Sequence, residues 1–76
     1  MPQPAATLAA VSLTQREIEV TALLVRFATN REIAAQLVIS EGTAKRHVEN
    51  ILVKLGLRSR TQVADWASEQ GVLPAD

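Results

Sequence analysis

Arg46 and Asn50 are four residues apart, as are Glu49 and Val53, so a helix through them gathers all four side chains on one side. A guanidinium, a carboxamide, a carboxylate and a small apolar group suit the edges of base pairs. Arg46 can pair bidentately with guanine O6 and N7, and Asn50 with adenine N6 and N7. Glu49 can accept from cytosine N4 or hold Arg46 in place, and Val53 can meet a thymine methyl. Thr43, Lys45, His47 and Lys54 flank this face with groups suited to phosphate. Asn30 and Arg31 lie in the first turn of a preceding helix, whose free amides and partial positive charge favour an anion. On an arbitrary exposed helix the same residues would be an ordinary solvated surface. The surrounding elements decide between the two readings.

Those elements are marked locally. Thr14-Gln-Arg-Glu17, Thr29-Asn-Arg-Glu32 and Ser59-Arg-Thr-Gln62 are capping boxes, and Ser40 is a fourth N-cap with Glu41 in the next turn. The first helix is expected over about Thr14 to Phe27, with Val20, Leu24 and Phe27 on one face. The second starts after Thr29 and turns Ile33, Ala34 and Leu37 inward. Val38 and Ile39 make the break. The third, about Glu41 to Leu55, buries Ala44, Val48, Ile51, Leu52 and Leu55 and stops at Gly56. The fourth runs to about Gln70 on Val63, Ala64 and Ala67. The expected fold is all-α: a four-helix bundle containing a helix-turn-helix. Residues 1–12 read as a flexible tail or linker, 13–73 as the domain and 74–76 as a C-terminal tail.

Bulk properties narrow the function. A chain of 76 residues makes one small domain. The absence of cysteine excludes disulfides, cysteine-ligated zinc and thiol catalysis. His47 is the single histidine and has no nucleophile–base partner, so neither an enzyme nor a metal or other cofactor is expected. No membrane span or signal peptide is legible, which gives a cytoplasmic expectation. The formal net charge of zero argues against nucleic acid, but its distribution is uneven. Lys45, Arg46, Lys54, Arg58 and Arg60 face only Glu41 and Glu49 in their segment, whereas the charges from Thr61 onward are all anionic.

The chain resembles the DNA-binding domain of LuxR/NarL-type transcription regulators. The matching residues are Leu13-Thr14-x-Arg16-Glu17, Asn30-x-Glu32-Ile33-Ala34, Ile39-Ser40-Glu41-Gly42-Thr43-x-Lys45-x-His47-Val48-x-x-Ile51-Leu52-x-Lys54-Leu55 and Arg58-x-Arg60-Thr61. The resemblance covers about Leu13 to Leu73 and implies the winged-helix-like superfamily of small DNA-binding domains, without a wing. Region four of sigma factors is similar in its opening and break, but it ends soon after the recognition helix. The resemblance implies double-stranded DNA as partner, contacts from Thr43 and Lys45, and a homodimer through the fourth helix. That seam would hold Gln62, Asp65, Trp66 and Glu69. A regulatory domain or protein outside this chain is also implied. The alternative is a helix-turn-helix module that binds a protein instead, motivated by the neutral charge and by Glu49 on the reading face. Phe27 departs from the family, which usually has Gly there. A left-handed Phe costs roughly 1–2 kcal/mol, so the helix is expected to end differently or the ring to gain burial. Thr21 and Ala44 replace a usual Leu and Val, which should lighten the core.

Overall fold

The computed structural model describes residues 13–69. It holds four helices: α1 (Gln15–Val25), α2 (Asn30–Leu37), α3 (Glu41–Leu55) and α4 (Arg60–Glu69). There is no strand among the described residues. The expected tails at 1–12 and 74–76, and the end of the fourth helix at Gln70, lie outside them. No helix among them is long and apolar enough to cross a membrane.

Each helix begins where a side chain can replace the missing backbone acceptor. Thr14 Oγ1 accepts from the Glu17 amide at 3.1 Å, while the Glu17 carboxylate accepts from the Thr14 amide at 2.9 Å. Thr29 and Glu32 repeat the exchange at 3.1 and 2.8 Å. Ser40 accepts from the Thr43 amide at 3.0 Å. At α4, Ser59 Oγ accepts from the Gln62 amide, and Gln62 Oε1 accepts from the amides of Ser59 and Arg58. One orphan donor of every first turn is thus satisfied from within the same few residues, and the amides before it in that turn stay open.

The ends of α1, α2 and α3 also share one device, only one instance of which is legible in the sequence. At Gly56 (φ 67°), the Leu57 amide reaches Leu52 O and the Gly56 amide reaches Val53 O, a Schellman stop on a left-handed glycine. Phe27 (φ 61°) takes the same place after α1, with Phe27 N–H to Leu24 O and Ala28 N–H to Leu23 O. Val38 (φ 56°) does so after α2, with Ile39 N–H to Ala34 O. The expectation for Phe27 is corrected on both counts. It adopts the left-handed conformation, and its ring is 73% exposed rather than part of the inner face. In return, that conformation satisfies two of the last carbonyls of α1, those of Leu23 and Leu24.

Val38 has the same strain with even less compensation, being 89% exposed. Val38→Gly should therefore stabilise the domain. It relieves about 1–2 kcal/mol of left-handed strain and loses about 0.5–1 kcal/mol through a more flexible unfolded chain. The expected net gain, up to about 1.5 kcal/mol, is measurable by urea unfolding. A destabilised variant would mean that the side chain makes a contact worth more than its strain.

One core joins the four helices. Val20, Leu24, Ile33, Ala34, Ala44, Val48, Ile51, Leu55, Val63, Trp66 and Ala67 form a continuous buried cluster, with Leu37 and Leu52 packed against it half-buried. Helix α1 packs on both α3 and α4, and α2 packs on α3. Thr21 and Ala44 are fully buried, and the Thr21 hydroxyl is satisfied by donating to Glu17 O at 2.8 Å. The three residues Val38, Ile39 and Ser40 connect α2 to α3, which is the helix-turn-helix.

Candidate nucleic-acid interface

Helix α3 divides cleanly by exposure. Ala44, Val48, Ile51 and Leu55 are buried, whereas Arg46, Glu49, Asn50 and Val53 all lie at the surface. Val53 is 81% exposed. Gly42, Thr43 and Lys45 are exposed beside them, and His47 is half-buried at the margin. Neither a Lys45–Glu49 nor an Arg46–Glu49 ion pair forms; the ion pairs among the described residues are Arg16–Glu19 and Lys54–Glu17. The Arg46 guanidinium therefore faces outward.

The N-terminus of α2 opens beside Thr29, with Arg31 exposed and Asn30 half-buried. Asn30 is not a simple surface amide. Its Oδ1 accepts from Arg60 Nη2 at 2.7 Å, across from the first turn of α4. Residues 30 positions apart meet here, so no local signal could have revealed the contact.

Two expected site residues are placed differently. Lys54, expected as a phosphate ligand, turns its ammonium to Glu17 Oε1 at 2.7 Å. The Glu17 side chain is 5% exposed, and leaving it unpaired would strand a charge. Lys54 is thereby engaged in joining α3 to the start of α1. Trp66, expected at the seam, is 4% exposed and belongs to the core. Its neighbours Gln62, Asp65 and Glu69 do remain at the surface.

The Glu17 carboxyl is subject to opposing influences. Burial raises its pKa, but the hydrogen bond and charge of Lys54 and the bonds from Thr14 outweigh that and hold it below its usual value. A carboxylate whose folded pKa is depressed stabilises the fold fully above its unfolded value, near ~4.3. That contribution disappears as pH falls through the lower folded value. Glu17→Gln keeps an acceptor for the Thr14 amide but removes the charge, so it should be less stable than the parent at neutral pH. The two should converge in acid. Thermal unfolding from about pH 7 to pH 2 checks this; a constant gap between the two proteins would show that the ion pair contributes nothing.

These features define a class: a compact four-helix domain in which α2 and the three-residue turn hold up a third helix with a polar, solvent-facing side. The family model "Bacterial regulatory proteins, luxR family" matches residues 11–67. The chain belongs to that family. It is 52% identical over 62 residues to the transcriptional regulatory protein LnrK of Bacillus subtilis (strain 168), covering 82% of this chain and 28% of LnrK. It is 50% identical over 50 residues to the spore germination protein GerE of the same organism, covering 66% of this chain and 68% of GerE. The solved structure of the transcription factor GerE superposes with a TM-score of 0.71 at 41% identity, covering 84% of this chain and 96% of that one. The response regulator ChrA, of a heme-sensing two-component system, gives 0.74 at 36% identity over 96% of this chain and 33% of ChrA. This chain thus spans about a third or less of LnrK and ChrA. Of these, LnrK is named a transcriptional regulatory protein and GerE a transcription factor.

Proposed function

We propose that this domain binds double-stranded DNA sequence-specifically, as a homodimer, with α3 in the major groove. The observation that carries the reading is the exposed set Arg46, Glu49, Asn50 and Val53 on a helix whose opposite face is locked into the core. Arg46 and Asn50 read purine edges, Glu49 accepts from cytosine or orders Arg46, and Val53 meets a thymine methyl. Asn30, Arg31, Thr43 and Lys45 hold phosphates, with His47 at the rim and the α2 N-terminus supplying amides and a partial charge. Lys54, expected in the same set, also pairs with Glu17.

A single domain has few cationic contacts, so it binds weakly and with strong salt dependence. Pairing through the outer face of α4, where Gln62, Asp65 and Glu69 are exposed, doubles the contacts. It also fixes half-sites about 10 bp apart. In a longer, cytoplasmic parent protein, a regulatory domain would control when α4 and the reading face become available.

Anisotropy titration with random-sequence duplex at about 50 mM salt tests DNA binding directly. Selection of duplexes from a random pool then reports preference, symmetry and spacing together. Absence of binding at low salt would favour the second reading, a module that docks on a protein. The observation behind that reading is the exposed Glu49 carboxylate, which has no ion-pair partner within the described residues.

A further inference from the structure

We infer that Arg60 is a positioning residue for DNA binding, acting through Asn30; this rests on the proposed seating of a phosphate at the start of α2. Arg60 is the first residue of α4 and Asn30 the first of α2. The Arg60 Nη2–Asn30 Oδ1 bond, at 2.7 Å, ties these two first turns together. A guanidinium has donors and no acceptor, so it can engage only the oxygen of the carboxamide. The chemistry of the pair therefore fixes which way the amide lies. With Oδ1 held by Arg60, the Nδ2 donors are on the branch pointing away from it.

An asparagine without this tether could turn either end outward, and an outward oxygen would repel a phosphate. The tether removes that choice before DNA arrives, so less ordering is lost on binding. Arg60 itself is half-buried in a cleft lined by Leu24, Phe27, Ala28, Thr29 and Thr61. Its Nε is fully buried with no hydrogen-bond partner. A guanidinium placed to bind phosphate directly would be expected to point its donors outward. This one is recessed between helices, with a donor left unsatisfied to reach Asn30. The arrangement also links α4, the proposed pairing helix, to the α2 phosphate seat, so that a shift of one first turn moves the other.

A double-mutant cycle tests the inference, using the whole chain, random-sequence duplex and about 150 mM salt, where exposed charges are screened beyond ~8 Å. Arg60→Met preserves the aliphatic stem, and Asn30→Ala removes the amide. Each alone should weaken binding about three- to tenfold, the worth of one polar contact. Arg60→Met should add nothing in the Asn30→Ala background. The Asn30 side-chain amide resonances should shift in DNA-free Arg60→Met, while its backbone resonances stay dispersed, showing an intact fold. An equal Arg60 effect in both backgrounds, with the salt slope lowered by about 0.9, would make Arg60 a direct phosphate ligand and overturn the inference. Tight binding by the parent with no loss from either change would overturn it while leaving DNA binding standing. No binding by the parent at any salt would remove the DNA reading, and this one with it.

Discussion

Replacing Trp66 with alanine is expected to lower the stability of the isolated domain by about 3–5 kcal/mol, the range for deleting a buried aromatic side chain. Trp66 is 4% exposed and packs in the cluster that joins α1, α3 and α4. A domain of this size has only about 3–9 kcal/mol to lose, so a large fraction should be unfolded at 37 °C. The location of the side chain predicts how the loss depends on concentration. A core residue destabilises the monomer, so the fall in Tm should be the same over a hundredfold range of protein concentration. A seam residue would act through dimerisation, and its effect would fade as the protein is diluted and dimers dissociate. Trp66→Phe should recover much of the loss. Alanine at Asp65 or Glu69, both exposed, should leave the monomer's Tm nearly unchanged, whereas Gln62→Ala would also remove the bonds that cap α4. A Trp66→Ala defect that vanishes on dilution would restore Trp66 to the seam.

The helix starts are legible in the sequence because their chemistry is local. Thr14 with Glu17, Thr29 with Glu32, and Ser59 with Gln62 lie within one turn, and a side chain three residues on is always in reach. The faces of α3 come from helical periodicity alone, since a buried Ala44, Val48, Ile51 and Leu55 leave Arg46 and Asn50 no other side. Helix ends are less legible. A glycine announces a left-handed stop, as at Gly56, but Phe27 and Val38 adopt it against their own preference. There the next helix bends the chain, because Thr29 and Ser40 must arrive where their capping bonds form. Long-range polar contacts leave no trace in the sequence. Glu17 and Lys54 are 37 positions apart and Asn30 and Arg60 are 30 apart. Each pair reads as independent surface residues until the fold brings them together. Periodicity puts Trp66 at the edge of the inner face, and only packing shows that the four-helix core closes over it.

Arg46→Ala should weaken binding to the preferred duplex by about 1–3 kcal/mol and relax the requirement at one base position. Both consequences come from one feature: an exposed guanidinium on the outward face of α3, with no carboxylate of its own helix paired to it. A bidentate pair to guanine is lost when the wrong base is present, so its removal costs affinity on the right site and little elsewhere. Lys45 supplies the contrast. It is exposed beside the reading face and proposed to meet phosphate, which is the same in every sequence. Lys45→Ala should therefore weaken all duplexes alike and lower the salt slope by about 0.9, leaving the ranking of sites intact. Neither change touches the core, so both variants should unfold at nearly the parent's urea concentration. Affinity for preferred and scrambled duplexes at several salt concentrations separates the two roles. If both substitutions erode preference equally, base reading is not concentrated at Arg46. If Arg46→Ala weakens scrambled duplex as much as the preferred one, the guanidinium lies on the backbone, and α3 must enter the groove rotated from the orientation its buried face implies.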